Sequence, residues 1–351
     1  MVNTPGVKVV STSALPIDLA GQVTAALPGT TVVVPAAGHT PVARIDLADA
    51  DALVCLLLDR IDGALLARAP RLRVVASCAV GYDNVDLAAA TAAGVAVTNT
   101  PDVLTEATAE LAFALLLTCA RRIGEGERLI RSGGWTGWAL DQLLGLGMPG
   151  KTLGIIGYGR IGRALARRAL GFGMNVVYAD PLAPPGAVPD SAEAAGGGQS
   201  TTEPAGGEPR DATRVVSVDE VFARADAVSL HCPLTPETRH LVNAHRLGLM
   251  KPTAILVNTA RGGCVDEMAL VAALQAGQIF GAALDVYARE PQLPPELLAC
   301  PRLVLAPHIG SATTEARTAM AQLCADAVIA VLRGHRPGNL VNNVVPWNSR
   351  S

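Results

Sequence analysis

Apolar and polar positions fall in blocks along this chain. Short apolar runs at residues 7–10, 31–34, 53–58, 72–76 and 95–98 are each closed by polar residues, glycine or proline, and read as buried strands. Residues 64–69, ending at Pro70, read as a helix. Strands that alternate with helices predict a parallel sheet, so residues 1–100 read as an α/β unit of their own. After a break at Asn99-Thr100-Pro101-Asp102, the apolar spacing predicts one long helix over 104–122. Arg121 and Arg122 sit near its negative end. A glycine-rich loop over 132–150 follows and carries Trp135 and Trp138.

The pattern then tightens. An apolar run over 153–156 meets Gly157-Tyr158-Gly159-Arg160-Ile161-Gly162, a helical stretch runs from 160 to about 172, and a second apolar run over 175–179 ends in Asp180. Strand, glycine turn, helix, strand and acid in that order form the dinucleotide-binding fingerprint in its required context. Gly157 permits the turn, Gly159 lets backbone approach a pyrophosphate, and Gly162 lets helix lie on strand. The helix N-terminus offers N–H groups to the phosphates. Residues 181–210 are rich in proline, glycine, alanine, serine and glutamate and read as an exposed loop, with 184–210 dispensable. Ser217 to Glu220 has capping-box spacing. Strands over 227–231, 254–258, 282–284 and 303–305 each end in polar residues: Cys232-Pro233, Thr259-Ala260-Arg261-Gly262, Asp285 and Pro307-His308. In an open α/β sheet, ligands bind outside such carboxyl ends. A long helix over 313–333 is closed by Gly334.

Composition narrows the function. A chain of 351 residues, half of them apolar, makes two domains. A net charge of −3 gives no electrostatic reason for a nucleic-acid or membrane partner. Seven cysteines without a CxxC pair read as reduced thiols of a cytoplasmic protein, with no metal site. The first residues lack the pattern of a signal peptide, and the apolar run near Leu111 is too short for a bilayer.

Arg261, Glu290 and His308 carry the candidate chemistry. Hydride transfer to a keto acid needs a planar cation for the carboxylate, a proton donor that titrates near neutrality, and a carboxylate that keeps that donor charged. Taken singly, each has a bland reading: a surface charge, a loop residue, a satisfied histidine. Together at consecutive strand ends beside a dinucleotide fold, the bland readings lose weight.

With the motifs Gly157-Tyr158-Gly159-Arg160-Ile161-Gly162, Asn258-Thr259-Ala260-Arg261-Gly262, Leu284-Asp285-Val286 with Glu290-Pro291, and Pro307-His308-Ile309-Gly310-Ser311, the chain resembles the D-isomer-specific 2-hydroxyacid dehydrogenases over residues 7–344. Within that family it is most similar to the glyoxylate/hydroxypyruvate reductases, through the stretch from Pro101 to Leu111 and through Gly134-Trp135-Thr136-Gly137-Trp138. The resemblance implies two Rossmann-like or flavodoxin-like parallel-sheet domains with an active-site cleft between them. Residues 1–100, completed by 307–345, would bind substrate, and 101–306 would bind NAD. It makes His308 the general acid/base, Glu290 its partner and Arg261 the carboxylate anchor. Val80 and Gly81 would hold the other carboxylate end, Leu57 and Leu58 would line the same site, and Asp285 would hold the nicotinamide carboxamide. Thr108, Cys232, Pro233, Thr238, Thr259 and Ala260, with His308 and Gly310, would line the cofactor beside Gly157, Tyr158, Gly159, Arg160, Ile161, Gly162 and Asp180. It also implies a homodimer through helix 104–122 and the tryptophan loop, with Trp138 reaching the partner's substrate. The rival is a tryptophan pair covering its own domain.

The implied activity is reduction of glyoxylate or hydroxypyruvate to a D-2-hydroxy acid. The alternatives are a dehydrogenase for D-lactate or D-3-phosphoglycerate, and an NAD-sensing co-repressor-like binding protein. Asp180 faces where an adenosine ribose would sit and would repel a 2′-phosphate, so NAD(H) is expected over NADP(H).

Overall fold

The computed structural model describes residues 6–180, 213–214 and 217–344. The segment 184–210, read as dispensable, lies outside them. Elements run β1 (Lys8–Ser11), α1 (Leu19–Ala26), β2 (Thr31–Val33), β3 (Ala52–Cys55), α2 (Gly63–Ala67), β4 (Val74–Ser77), α3 (Leu87–Ala92) and β5 (Ala96–Thr98). Then come α4 (Thr105–Ala120), α5 (Ile123–Arg131), β6 (Thr152–Ile156), α6 (Arg160–Gly171), β7 (Asn175–Ala179), β8 (Thr213–Arg214), α7 (Val218–Arg224) and β9 (Ala227–Leu230). The chain continues with α8 (Ala244–Leu249), β10 (Ile255–Asn258), α9 (Glu267–Gln275), β11 (Gly281–Leu284), α10 (Pro295–Leu298), β12 (Leu303–Leu305) and α11 (Thr314–Leu332). Two compact units result, one holding the chain up to Leu104 and again from Ser311, the other Thr105–Gly310.

In the first unit the strands pair in the order β2-β1-β3-β4-β5, every pair parallel. Register explains why the sequence shows continuous apolar runs. Val10, Leu53, Val75 and Val97 stand side by side across four strands and share one core, while their neighbours Val9, Ala52, Val74 and Ala96 form the opposite row in a second core. A strand buried on both faces has no polar side to display. Cys324, Ala325, Val328 and Val331 of α11 fill the second core.

The second unit orders its strands β12-β11-β10-β9-β6-β7-β8, again all parallel. The order reverses between β6 and β9, which places a crevice at the ends of those strands. Leu153, Ala227 and Ile255 face one core across three strands; Val228, Leu256 and Ala282 face the other.

The expected helix over 104–122 is α4 (Thr105–Ala120), and what the sequence did not show is a second helix after it, entered through Arg122, whose left-handed backbone at φ 54° separates the two. The chain then restarts as α5, where Gly124 and Gly126 hide the helical signal. In the loop that follows, Trp135 and Trp138 are 53 % and 81 % exposed, so they do not cover their own domain. No helix among the described residues is long and apolar enough to cross a membrane.

Candidate active site

The glycine turn sits at the reversal of the second sheet. Gly157 takes φ 91°, and a Cβ there would lie 2.7 Å from the main chain of His231 and of Cys232, so β6 and the end of β9 touch through a glycine. Gly159 is different: a Cβ there would meet nothing within 4 Å. Open space beside that backbone, together with an α6 N-terminus whose N-cap Gly159 provides no side-chain cap, leaves main-chain N–H groups for an anion. These features fit a dinucleotide pyrophosphate. Asp180, at the end of β7, accepts the Tyr158 N–H at 2.6 Å through Oδ2, so part of its carboxylate braces the turn. Tyr158 itself turns inward: its ring is fully buried and stacked on Tyr178 at 3.7 Å, so only its backbone faces the crevice side. Arg160 is exposed, Ile161 half-buried, and Gly162 buried in the first turn of α6.

Other expected cofactor residues surround the same strand ends. Thr108 on α4 is buried, as are Cys232, Thr259 and Gly310, while Ala260 and Thr238 are half-buried and Pro233 exposed. Thr238 Oγ1 accepts from the Thr235 N–H at 2.7 Å and donates to the Pro233 carbonyl at 2.6 Å, which fixes that turn. Cys232 is a free, buried thiol hydrogen-bonded with the Cys264 thiol, and both effects push it far above the ordinary range. Burial lowers His231 to about 4, so it is neutral at physiological pH.

Arg261 follows β10 on a loop held by Asn258. The buried Asn258 amide accepts from the Ala260 N–H at 3.0 Å and donates to the Arg261 carbonyl at 2.9 Å. Gly262 explains how close this loop comes to the next one: a Cβ there would lie 1.8 Å from the Tyr287 carbonyl carbon. That contact sets Arg261 beside the segment of Glu290, and the guanidinium charge acts on the Glu290 carboxylate.

His308 and Glu290 meet directly, with Nδ1 2.7 Å from Oε2 and both side chains largely buried. The other oxygen, Oε1, accepts the Tyr287 N–H at 2.9 Å. Burial works to raise the Glu290 carboxyl, but the bonds from His308 and the Tyr287 N–H, with the charges of His308 and Arg261, outweigh it and hold it below its ordinary value. The carboxylate is therefore ionised near neutrality and can only accept, so Nδ1 carries the hydrogen of that bond. Nε2 is left as the ring atom for proton exchange.

Two contributors, Asn258 and Tyr287, escaped the sequence reading. The Tyr287 hydroxyl donates to the Ala306 carbonyl at 2.8 Å, and lies 3.2 Å from that of Leu284. Asp285, expected at the nicotinamide, accepts main-chain N–H groups of Ile309 and Gly310 at 2.7 Å each. An Asn at a strand end was a readable cue for Asn258, but nothing in the spacing singles out Tyr287.

A family model described as D-isomer specific 2-hydroxyacid dehydrogenase, NAD binding domain, matches residues 113–310. A glyoxylate reductase from Thermococcus litoralis is 49 % identical over 305 residues, 86 % of each chain. The chain belongs to the D-isomer-specific 2-hydroxyacid dehydrogenases. Among solved structures, an NADPH-dependent glyoxylate/hydroxypyruvate reductase from Sinorhizobium meliloti, in complex with NADP and malonate, matches at 31 % identity with a TM-score of 0.76, covering 95 % of this chain and 96 % of that one. A D-lactate dehydrogenase from Aquifex aeolicus, complexed with NAD and lactic acid, matches at 26 % identity with a TM-score of 0.79, covering 96 % and 100 %. This member of the family shares with them two parallel-sheet α/β domains.

In the first unit, the remaining expected substrate residues lie in two braced turns. Leu57 is half-buried and Leu58 is 56 % exposed, in the turn after β3. The buried Asp59 carboxylate accepts from the Leu56 N–H, the Thr12 hydroxyl and the Val42 N–H there, and its Oδ1 lies 2.9 Å from His39 Nε2. Val80 and Gly81 follow β4, and the Val80 carbonyl accepts from Asn99 Nδ2 at 2.8 Å. Among the described residues, no cluster of three His, Cys, Asp or Glu side chains is arranged to hold a metal.

Proposed function

We propose that this chain reduces small 2-keto acids, glyoxylate and hydroxypyruvate first among them, to 2-hydroxy acids with NADH. The His308–Glu290 contact beside Arg261 carries the reading, and the glyoxylate reductases among the relatives support the choice of substrate. Bound nicotinamide would supply the hydride. Arg261 would engage the substrate carboxylate through its planar guanidinium and draw electron density from the adjacent carbonyl. His308 would give its Nε2 proton to the carbonyl oxygen as charge develops there, while Glu290 stabilises the cationic ring and fixes its orientation through Nδ1. Gly157, Gly159 and Gly162 with the α6 N-terminus would hold the pyrophosphate, and Thr108, Cys232, Pro233, Thr238, Thr259, Ala260 and Gly310 would line the cofactor. The roles of Leu57, Leu58, Val80, Gly81 and Trp138 toward substrate rest on the family resemblance.

Asp180 supports NAD(H) over NADP(H). A carboxylate at the end of β7 would oppose a 2′-phosphate, and the next residues in sequence, Pro181 and Leu182, bring no cation. The test is loss of NADH absorbance with glyoxylate, hydroxypyruvate and pyruvate, each repeated with NADPH. Turnover fastest with the first two acids and with NADH is expected. Fastest turnover with pyruvate would move the assignment to a D-lactate dehydrogenase, equal efficiency with NADPH would remove the role of Asp180, and inertness toward all three would count against the enzyme.

A further inference from the structure

We infer that Asp285 is a positioning residue: its carboxylate clamps the main chain just after His308 and so holds the imidazole in place against Glu290. The inference rests on the proposed role of His308. His308 has a left-handed backbone, with φ 54°. A side chain with a Cβ adopts that conformation at a cost, and keeps it only where its surroundings impose it. Upstream, the chain is tied to the end of β11 by the Ala306 N–H to the Leu284 carbonyl at 2.9 Å and by the Tyr287 hydroxyl to the Ala306 carbonyl. Downstream, the bonds are those to Asp285: Oδ1 takes the Ile309 N–H and Oδ2 takes the Gly310 N–H, both at 2.7 Å. Asp285 is itself immobilised, being 1 % exposed with its own N–H donated to the Asn258 carbonyl at 2.9 Å. The seat is tight, since a Cβ on Gly310 would lie 3.2 Å from Asp285 Oδ2 and 3.5 Å from Thr108. A carboxylate suits this place because it has two acceptors and no donor. An amide of the same shape would turn one donor toward one of the two N–H groups and lose that bond.

Backbone hydrogen exchange in the cofactor-free protein, read at Ile309 and Gly310, tests the clamp together with the Asp285→Asn variant. Both amides should be protected in the wild type, and protection should fall in the variant. Turnover number with NADH and glyoxylate should drop about 10²-fold, as for a roughly 1 Å misplacement of a reacting group. Turnover is read at saturating NADH, which separates the clamp from any loss of NADH affinity, since Asp285 is also expected at the nicotinamide carboxamide. Free exchange of both amides in the wild type would overturn the inference, and this reading holds even if the variant fails to fold. A variant that keeps loop protection and turnover number and loses only NADH affinity would also overturn it, leaving Asp285 a nicotinamide contact alone. Exchange is measured without substrate, so its result is separate from whether the wild type turns over a keto acid.

Discussion

At the scale of single residues, the site is a chain of acceptors and donors whose ionisation states are fixed by geometry. Glu290 is held below its ordinary value, and the sign of the consequence follows. A depressed carboxylate adds stability at pH above its unfolded value, and that stability is lost as pH falls through the depressed one. The stability difference between wild type and Glu290→Gln should therefore be full at neutral pH and shrink under acid, in denaturant titrations across pH 2 to 7 (about the range over which such groups titrate). A difference that does not change with pH would contradict the assignment. In catalysis, Glu290→Gln removes the anion 2.7 Å from the ring, so the alkaline limit for keto-acid reduction should move to lower pH. Arg261, Glu290 and His308 could be proposed from the sequence because their residue types match a demanding chemistry at strand ends, and the structure sets His308 against Glu290. Tyr287 and the clamp by Asp285 were not, because they act through backbone atoms, and backbone partners leave no mark in the sequence; for Asn258 the one cue was its place at a strand end.

At the scale of elements, strands were easiest to read and short helices hardest. β3, β4 and β10 are buried on both faces and appear as unbroken apolar runs. α1, α3, α8 and α9 carry an N-cap signal in Asp18, Asp86, Asn243 and Asp266, each accepting a first-turn N–H, but they are too short to establish a period. α5 was hidden because Gly124 and Gly126 blur its signal and the left-handed Arg122 that separates it from α4 has no compositional sign. Gly262 marks a contact between elements that sequence could only hint at. Gly262→Ala would drive a Cβ into the Tyr287 main chain, so the Arg261 and Glu290 loops must part. A loss of roughly 1–3 kcal/mol of stability is expected, the usual range for overpacking, with a fall in turnover larger than the fall in melting temperature explains. Wild-type stability and turnover in this variant would show that the loops are not locked together.

At the scale of the whole molecule, the exposed apolar surface of the second unit calls for a partner. Ile123, Ile130, Trp135, Trp138, Leu140 and Leu144 are each more than half exposed within one stretch of chain. Exposed apolar residues of this kind are common at protein interfaces, and tryptophan is favoured at interface centres. We expect a homodimer by sedimentation, and Trp138→Ala should raise KM or change keto-acid preference without unfolding the protein; a fully active monomer at assay concentration would rule this out. Whether the chain works as a 2-keto acid reductase turns on His308. Steady-state NADH oxidation with saturating glyoxylate by His308→Ala, alongside NADH binding by fluorescence, is the most direct measurement. Turnover should fall roughly 10²–10⁴-fold, the usual share of general acid/base catalysis, with NADH binding retained; near-normal turnover would contradict the assignment of His308 as proton donor.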